Sequence, residues 1–356
     1  MVNSNTSAVR AGSQRRVTLR MIAAAAGVSV MTVSRALRED TSVSPKLRAR
    51  LRRMAGRLGY RPDPHLSALC AYRRRIRSPA EHAVIGYLTT HASRGGFRAS
   101  VVSREAIAGA IERGLELGYR IEHLWWPDLV KRHRDPSAVL ITRGIRGLIL
   151  APLRSVGVRL DMAWAEFSCV AVGYSLAEPE FHRVASHLFQ DIQIAFRHAL
   201  ARGYRRPALV LSSALDLRTQ HQFQGAFLYL LQTLPPEDRL PILWSEEIVR
   251  AADLGPFLSR HRPDVLLSIW SLASAAVREL KLRLPEDVGF VDLCLEEKSG
   301  AIAGVYQDFR RIGRTAVDRV NLLLQTWERG APGKPEITAL YGEWIEGATV
   351  RAQGSG

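Results

Sequence analysis

Over the first sixty residues, apolar positions recur at helical spacing in three short bursts separated by turn signals. Leu19, Ile22, Ala23 and Ala26 fall at i, i+3, i+4 and i+7 behind Thr18, a good N-cap, and Gly27 stops the run. Ser29 caps a second burst whose apolar face is Val33, Ala36 and Leu37. Ser44 and Pro45 open a third, with Leu47, Leu51, Met54 and Leu58 as its stripe and Gly59 as its stop. The first two are about two turns each, joined by a turn of about three residues, which is helix-turn-helix geometry; the third completes a minimal core. From Ala83 onward the period changes. AVIGYL, RIEHLWW, GLILAPL, CVAVGY, PALVLSS, DVLLSIW and VGFVDLC read as strands. REAIAGAIERGLELG, DIQIAFRHALARG, RTQHQFQGAFLYLLQ, LASAAVRELKLR and IGRTAVDRVNLLLQ read as helices. That alternation predicts parallel sheets covered by helices on both faces, and its length suits two lobes.

Charge sharpens the first segment. Of a formal +16, the residues up to Ser78 hold seventeen basic against three acidic side chains, which places +14 there and +2 in the remainder. Such a field attracts polyanions, with counterion release supplying salt-sensitive affinity. The small residues Ala23–Ala26 let the first two helices approach closely and hold the second out toward a major groove. Val30 and Met31 at its start, and Arg35 one turn on, would meet base edges, the apolar pair suiting thymine methyls and the arginine a guanine. Thr18, Ser29, Thr32 and Ser34 carry hydroxyls suited to phosphates. The competing reading is a bundle that only packs on a partner protein. The remaining composition excludes more than it assigns. At 47% hydrophobic over 356 residues the chain can bury a sizeable core, and it has neither an eighteen-residue apolar run nor a signal-peptide core, so a cytoplasmic location is expected. Cys70, Cys169 and Cys294 lack metal or disulfide spacing and read as buried small hydrophobes. No GK[ST] loop, G-x-S-x-G or H-E-x-x-H occurs, and RGGFRAS at 94–100 reads as a loop at a cleft mouth. Neither catalysis nor a cofactor or metal is expected.

The run VTLRMIAAAAGVSVMTVSRAL followed by VSPKLRARLRRMAGRLGYRP resembles the headpiece of the LacI/GalR (lactose-repressor) family of bacterial transcription regulators, whose pattern is T-hydrophobic-x-x-(I/V)-A-x-x-A-G-V-S-x-x-T-V-S-R. Met21 departs from it, standing where the family usually has aspartate. The resemblance implies that Val30 and Met31 hold the variable base-reading positions, that Leu19 lies among the DNA-binding residues, and that Leu69 is a hinge leucine wedged into the minor groove. Pro62, Asp63 and Pro64 depart from the family's hinge, and Arg73, Arg74, Arg75 and Arg77 either track phosphates or form a solvated linker.

It further implies an all-α helix-turn-helix headpiece plus an α/β core of two flavodoxin-like, periplasmic-binding-protein-like lobes with parallel sheets. The expected division is 1–15 a disordered basic arm, 16–61 the headpiece, 62–80 the hinge helix and basic linker, 81–345 the core and 346–356 a tail. Lobe 1 would span about 81–204 and 307–328, and lobe 2 about 205–306 and 329–345, with crossings near Tyr204, Gln307 and Arg329. In the interlobe cleft the chain has Gln222 where sugar-binding relatives place arginine, Trp270 and Ser271 for their Asn-Asp, and Cys294 for their aspartate; His187, Asp191 and Arg218 are further polar candidates. Trp270 either stacks on a ligand or is plain core. The effector is then not a common sugar, or binds weakly, or the site is vestigial. The function implied is a homodimeric repressor on a pseudo-palindromic operator in double-stranded DNA, modulated by a sugar or related metabolite. A regulator without effector, or a binding protein or enzyme on the same core, are the alternatives.

Overall fold

A computed structural model describes residues 17–37, 43–58, 60, 83–153 and 157–352. The expectations for 1–15 and for 62–80, Leu69 and Cys70 included, lie outside them, as does Gly59. The chain divides into a helical headpiece and an α/β core.

The headpiece is α1 (Leu19–Ala26), α2 (Val30–Leu37) and α3 (Pro45–Arg57). Thr18 caps α1, its hydroxyl accepting from the Met21 N–H, so the cap is present despite the departure at Met21. Gly27 takes φ 68°, the left-handed conformation that ends a helix, and its N–H returns to the carbonyls of Ala23 and Ala24. The Ser29 hydroxyl accepts from the Thr32 N–H at 3.0 Å and starts α2. Ile22, Val33, Ala36 and Leu51 are fully buried between the helices. The stripe of α3 differs from expectation: Leu58 is exposed and Ala55 takes its place beside Leu51, because the helix ends at Arg57.

Lobe 1 of the core is a six-stranded parallel sheet of β1 (Ala83–Thr89), β2 (Tyr119–Trp125), β3 (Gly147–Leu150), β4 (Ser168–Val172), β5 (His182–Ser186) and β11 (Ile337–Leu340), in the order β11-β5-β4-β3-β1-β2. Ile85, Tyr87, Ile149 and Val170 face α4 (Val101–Glu116) and α12 (Phe309–Thr326). Leu88, Leu148, Leu150 and Cys169 face the other side, where α5 (Trp126–Arg132) and α6 (Pro136–Thr142) lie. This two-sided burial is why the strands read as continuous apolar runs.

Lobe 2 repeats the plan with β6 (Pro207–Ser212), β7 (Leu243–Ser245), β8 (Val265–Ser268), β9 (Gly289–Leu295), β10 (Ala303–Tyr306) and β12 (Glu343–Ile345), in the order β12-β10-β9-β8-β6-β7, parallel except for β12 on β10. Helices α7 (Leu188–Ala201) and α9 (Gln222–Leu231) pack on one face, α10 (Ala251–His261) and α11 (Trp270–Glu279) on the other.

Three expectations are corrected by this topology. The first crossing falls at His187, not near Tyr204, because Ile192, Ala195 and Phe196 of α7 bury against Leu209 and Leu211 of lobe 2. The third falls at Tyr341–Gly342, not near Arg329, because β11 pairs with β5 in lobe 1 before β12 pairs with β10 in lobe 2. The middle crossing runs through Gln307, from β10 to α12. Residues 346–351 are not a loose tail: Val350 is buried in lobe 2, the Thr349 hydroxyl donates to the Phe290 carbonyl and accepts from the Ala303 N–H, and the Arg351 N–H donates to the Tyr204 hydroxyl.

Candidate nucleic-acid interface and interlobe cleft

The turn at Gly27 and Val28 changes the chain direction by 106° between α1 and α2. With Val33 and Ala36 buried, the opposite face of α2 is left to solvent. Val30 and Met31 are 42% and 59% exposed, and Arg35 is exposed one turn on. Ser29 and Thr32 are tied to each other, their hydroxyls 2.8 Å apart, so the cap uses part of their hydrogen-bonding capacity. Ser34 is half-buried and Thr18 exposed. Leu19 is half-buried against the headpiece core. Lys46, Arg52, Arg53 and Arg57 stand exposed along α3, while the Arg50 guanidinium donates to the Ala26 carbonyl and helps close the end of α1. That role left no mark in the sequence beyond one arginine among many.

Between the lobes of the core lies a cleft of about 990 Å³, at the C-terminal ends of strands from both sheets. Arg218, Trp270 and Cys294 line it. Trp270 is half-buried and meets Phe290 edge-on at 5.1 Å, so it serves the core and the cleft at once. Cys294 is half-buried at the cleft floor rather than fully buried, whereas Cys169 is buried and its thiol pushed up by burial.

His187, Asp191 and Gln222 do not line the cleft. His187 is the first crossing: its N–H donates to the Leu340 carbonyl at 2.8 Å and its ring lies 5.2 Å from Tyr341. Asp191 is fully buried, with Oδ1 accepting from the Gly342 N–H at 3.0 Å; burial pushes its carboxyl up to about 7. The Gln222 side chain hydrogen-bonds the Tyr174 hydroxyl. It sits there because RTQHQFQGAFLYLLQ is not one helix: α8 (Ser213–Arg218) ends at Thr219, and Gln220 and His221 take φ 54° and 58° before α9 begins. Asp216 holds this break, accepting from His221 Nδ1 at 2.6 Å while its carbonyl accepts the His221 N–H. Two consecutive left-handed residues that are not glycine are a strained conformation, kept by these bonds.

Asp292, missed from the sequence, lines the cleft from β9. Burial pushes its carboxyl up to about 6, opposed by the backbone N–H groups of Cys294 and Trp270. The available signal was a lone acid inside the apolar run VGFVDLC.

Residues 18–63 match the family described as bacterial regulatory proteins, lacI family. No curated protein sequence matches the chain. Among solved structures, the transcriptional regulator CelR in complex with cellobiose is 18% identical with a TM-score of 0.58, covering 94% of this chain and 100% of that one. A lac repressor dimer bound to operator and the anti-inducer ONPF is 20% identical with a TM-score of 0.56, covering 95% and 100%. The lacI-family regulator CCPA from Weissella paramesenteroides with bound glucose is 16% identical with a TM-score of 0.52, covering 75% and 98%. Residues 18–63 thus belong to the lacI family of bacterial regulatory proteins, with the helix-turn-helix at Leu19–Leu37, and the two-lobe α/β core has the fold of those solved regulators.

Proposed function

We propose that the protein is a sequence-specific transcriptional regulator, a homodimeric repressor that binds a pseudo-palindromic operator and responds to a small molecule in the interlobe cleft. The observation that carries this reading is the headpiece: two helices at 106°, the second offering Val30, Met31 and Arg35 to solvent on a basic body. In this reading Val30, Met31 and Arg35 meet bases, Thr18, Ser29, Thr32 and Ser34 meet phosphates, and Leu69 wedges a central minor-groove step. Arg218, Trp270 and Cys294 are the effector contacts carried over to the cleft. The family match and the operator-bound lac repressor support the DNA reading, and the cellobiose and glucose complexes support a small-molecule cleft.

The three crossings supply the coupling. A ligand that draws the lobes together turns them about His187, Gln307 and Gly342, and whatever changes operator affinity must change effector affinity by the same factor. Selecting bound sequences from random DNA tests the reading. A palindrome should emerge, and removal of residues 1–78 should abolish its binding; a selection without consensus, or binding retained by the truncated chain, refutes it.

A further inference from the structure

The two walls of the cleft carry charges of opposite sign. Lobe 1 contributes Arg104, half exposed in the first turn of α4, and His91, whose Nε2 lies 3.3 Å from the Ser103 hydroxyl. Its one lining acid, Glu105, is held by Arg310 at 2.9 Å and lies 3.9 Å from Arg104, which also donates to the Arg98 carbonyl, so the two arginines outweigh it. The positive character extends behind the wall: after burial, the larger cause, Arg94, His91 and Arg98 hold the His123 imidazole below its ordinary value. Lobe 2 contributes the carboxylates of Glu247, Asp292, Glu296 and Glu297 against the guanidinium of Arg218. Asp292 is fixed in the floor by its bond from the Cys294 N–H at 2.9 Å. Among the described residues no three His, Cys, Asp or Glu side chains converge on a metal-sized site, so the acidic wall is spread along the cleft and not focused on a cation.

Opposed charges on low-dielectric walls set a field across the space between them. A neutral polyol filling that space would take water from both sets of charges without supplying a counter-charge to either, and desolvated charges are costly unless paired. We infer that the cleft takes a bipolar ligand, with an anionic group against Arg104 and His91 and an ammonium group against the carboxylates of lobe 2. This rests on the reading of the cleft as an effector site and names the chemistry of the effector. Such a ligand bridges the lobes, so its binding favours the closed arrangement.

The test uses the full-length protein without DNA and a matched set of probes: glucose, glucosamine, glucose 6-phosphate, glucosamine 6-phosphate, and glutamine as a bipolar compound without a sugar ring. Melting temperature and titration calorimetry should show at least one bipolar probe binding about tenfold or more tighter than any neutral probe or any probe with charge of one sign only, the scale of a charge-assisted hydrogen bond. Arg104→Gln should remove the advantage given by the anionic group, and Glu296→Gln with Glu297→Gln that given by the amine. All three side chains are exposed, so the melting temperature without ligand should not move. Glucose binding as tightly as the bipolar probes, no response to either bipolar probe, or equal loss of every probe in the variants overturns the proposal. None of these outcomes bears on operator selection, which judges the regulator reading separately.

Discussion

Met31 offers a thioether and no hydrogen bond to the groove, and Val30 beside it offers two methyls; what such side chains can distinguish is the C5-methyl of thymine. Replacing thymine by uracil at the contacted positions of the selected operator should weaken binding, and an unchanged affinity would remove the apolar pair from base reading. Arg35→Ala should cost about 1 to 3 kcal/mol on the operator and relax preference at one position; equal loss on random DNA would reassign Arg35 to phosphate. A second residue-scale prediction concerns pH. Burial holds the Asp191 carboxyl at about 7 and Asp292 at about 6, against an ordinary 3.8, so the native core keeps protons that the unfolded chain releases above about pH 4. The stability these groups contribute is complete below about pH 4 and is lost as pH rises through 6 and 7. Asp191→Asn keeps an acceptor for the Gly342 N–H and removes one titration. The fall in melting temperature from pH 5.5 to 8 should shrink by a few degrees, about 2 to 4 °C per kcal/mol removed; a profile identical to the parent would mean that Asp191 does not set it.

At the scale of elements, two glycines make separable predictions. Gly27 has open space where a Cβ would go but φ 68°, so Gly27→Ala should cost only the left-handed backbone, about 1 kcal/mol of headpiece stability read by melting. Gly109 has an ordinary φ, but a Cβ there would fall 1.9 Å from the Arg310 carbonyl where α4 meets α12. Gly109→Ala must push the helices apart, and should lower core stability by about 2 kcal/mol or more. The contrast also explains what was legible in the sequence. The headpiece was, because caps, Gly27 and the apolar period are local signals. Strand β5 was not, because its residues HRVAS look polar. His182 is buried with Nε2 donating to Glu328 and Nδ1 accepting from the Glu336 N–H and Arg319, and Arg183 donates to the Gly173 and Leu176 carbonyls. The partners of His182 lie 137 to 154 residues away, so no short window of sequence shows that this polar strand can be buried. The break before α9 was hidden for a different reason: it depends on Asp216 holding His221, five residues on, rather than on glycine or proline.

For the whole molecule, the charge is divided as the functions are. The first 78 residues hold +14 of the formal +16, so affinity for any DNA should fall steeply with salt. Arg52→Ala should weaken operator and random DNA alike and flatten the dependence of log K on log salt by about 0.9 for each phosphate no longer neutralised; an unchanged slope would place Arg52 away from the backbone. The core's paired strands have an effect of their own on how the protein is made. The sheet that begins with β1 at Ala83 is closed at its far edge by β11 at Ile337, and the neighbouring sheet waits for β12 and for Val350. A ribosome adding 5 to 20 residues each second needs about 13 to 50 s to cover the roughly 250 residues between the first and last strands of lobe 1. Through that interval the headpiece can fold behind its own caps while both larger sheets keep an open edge, so nascent chains are exposed to wrong pairing until synthesis has passed about residue 350.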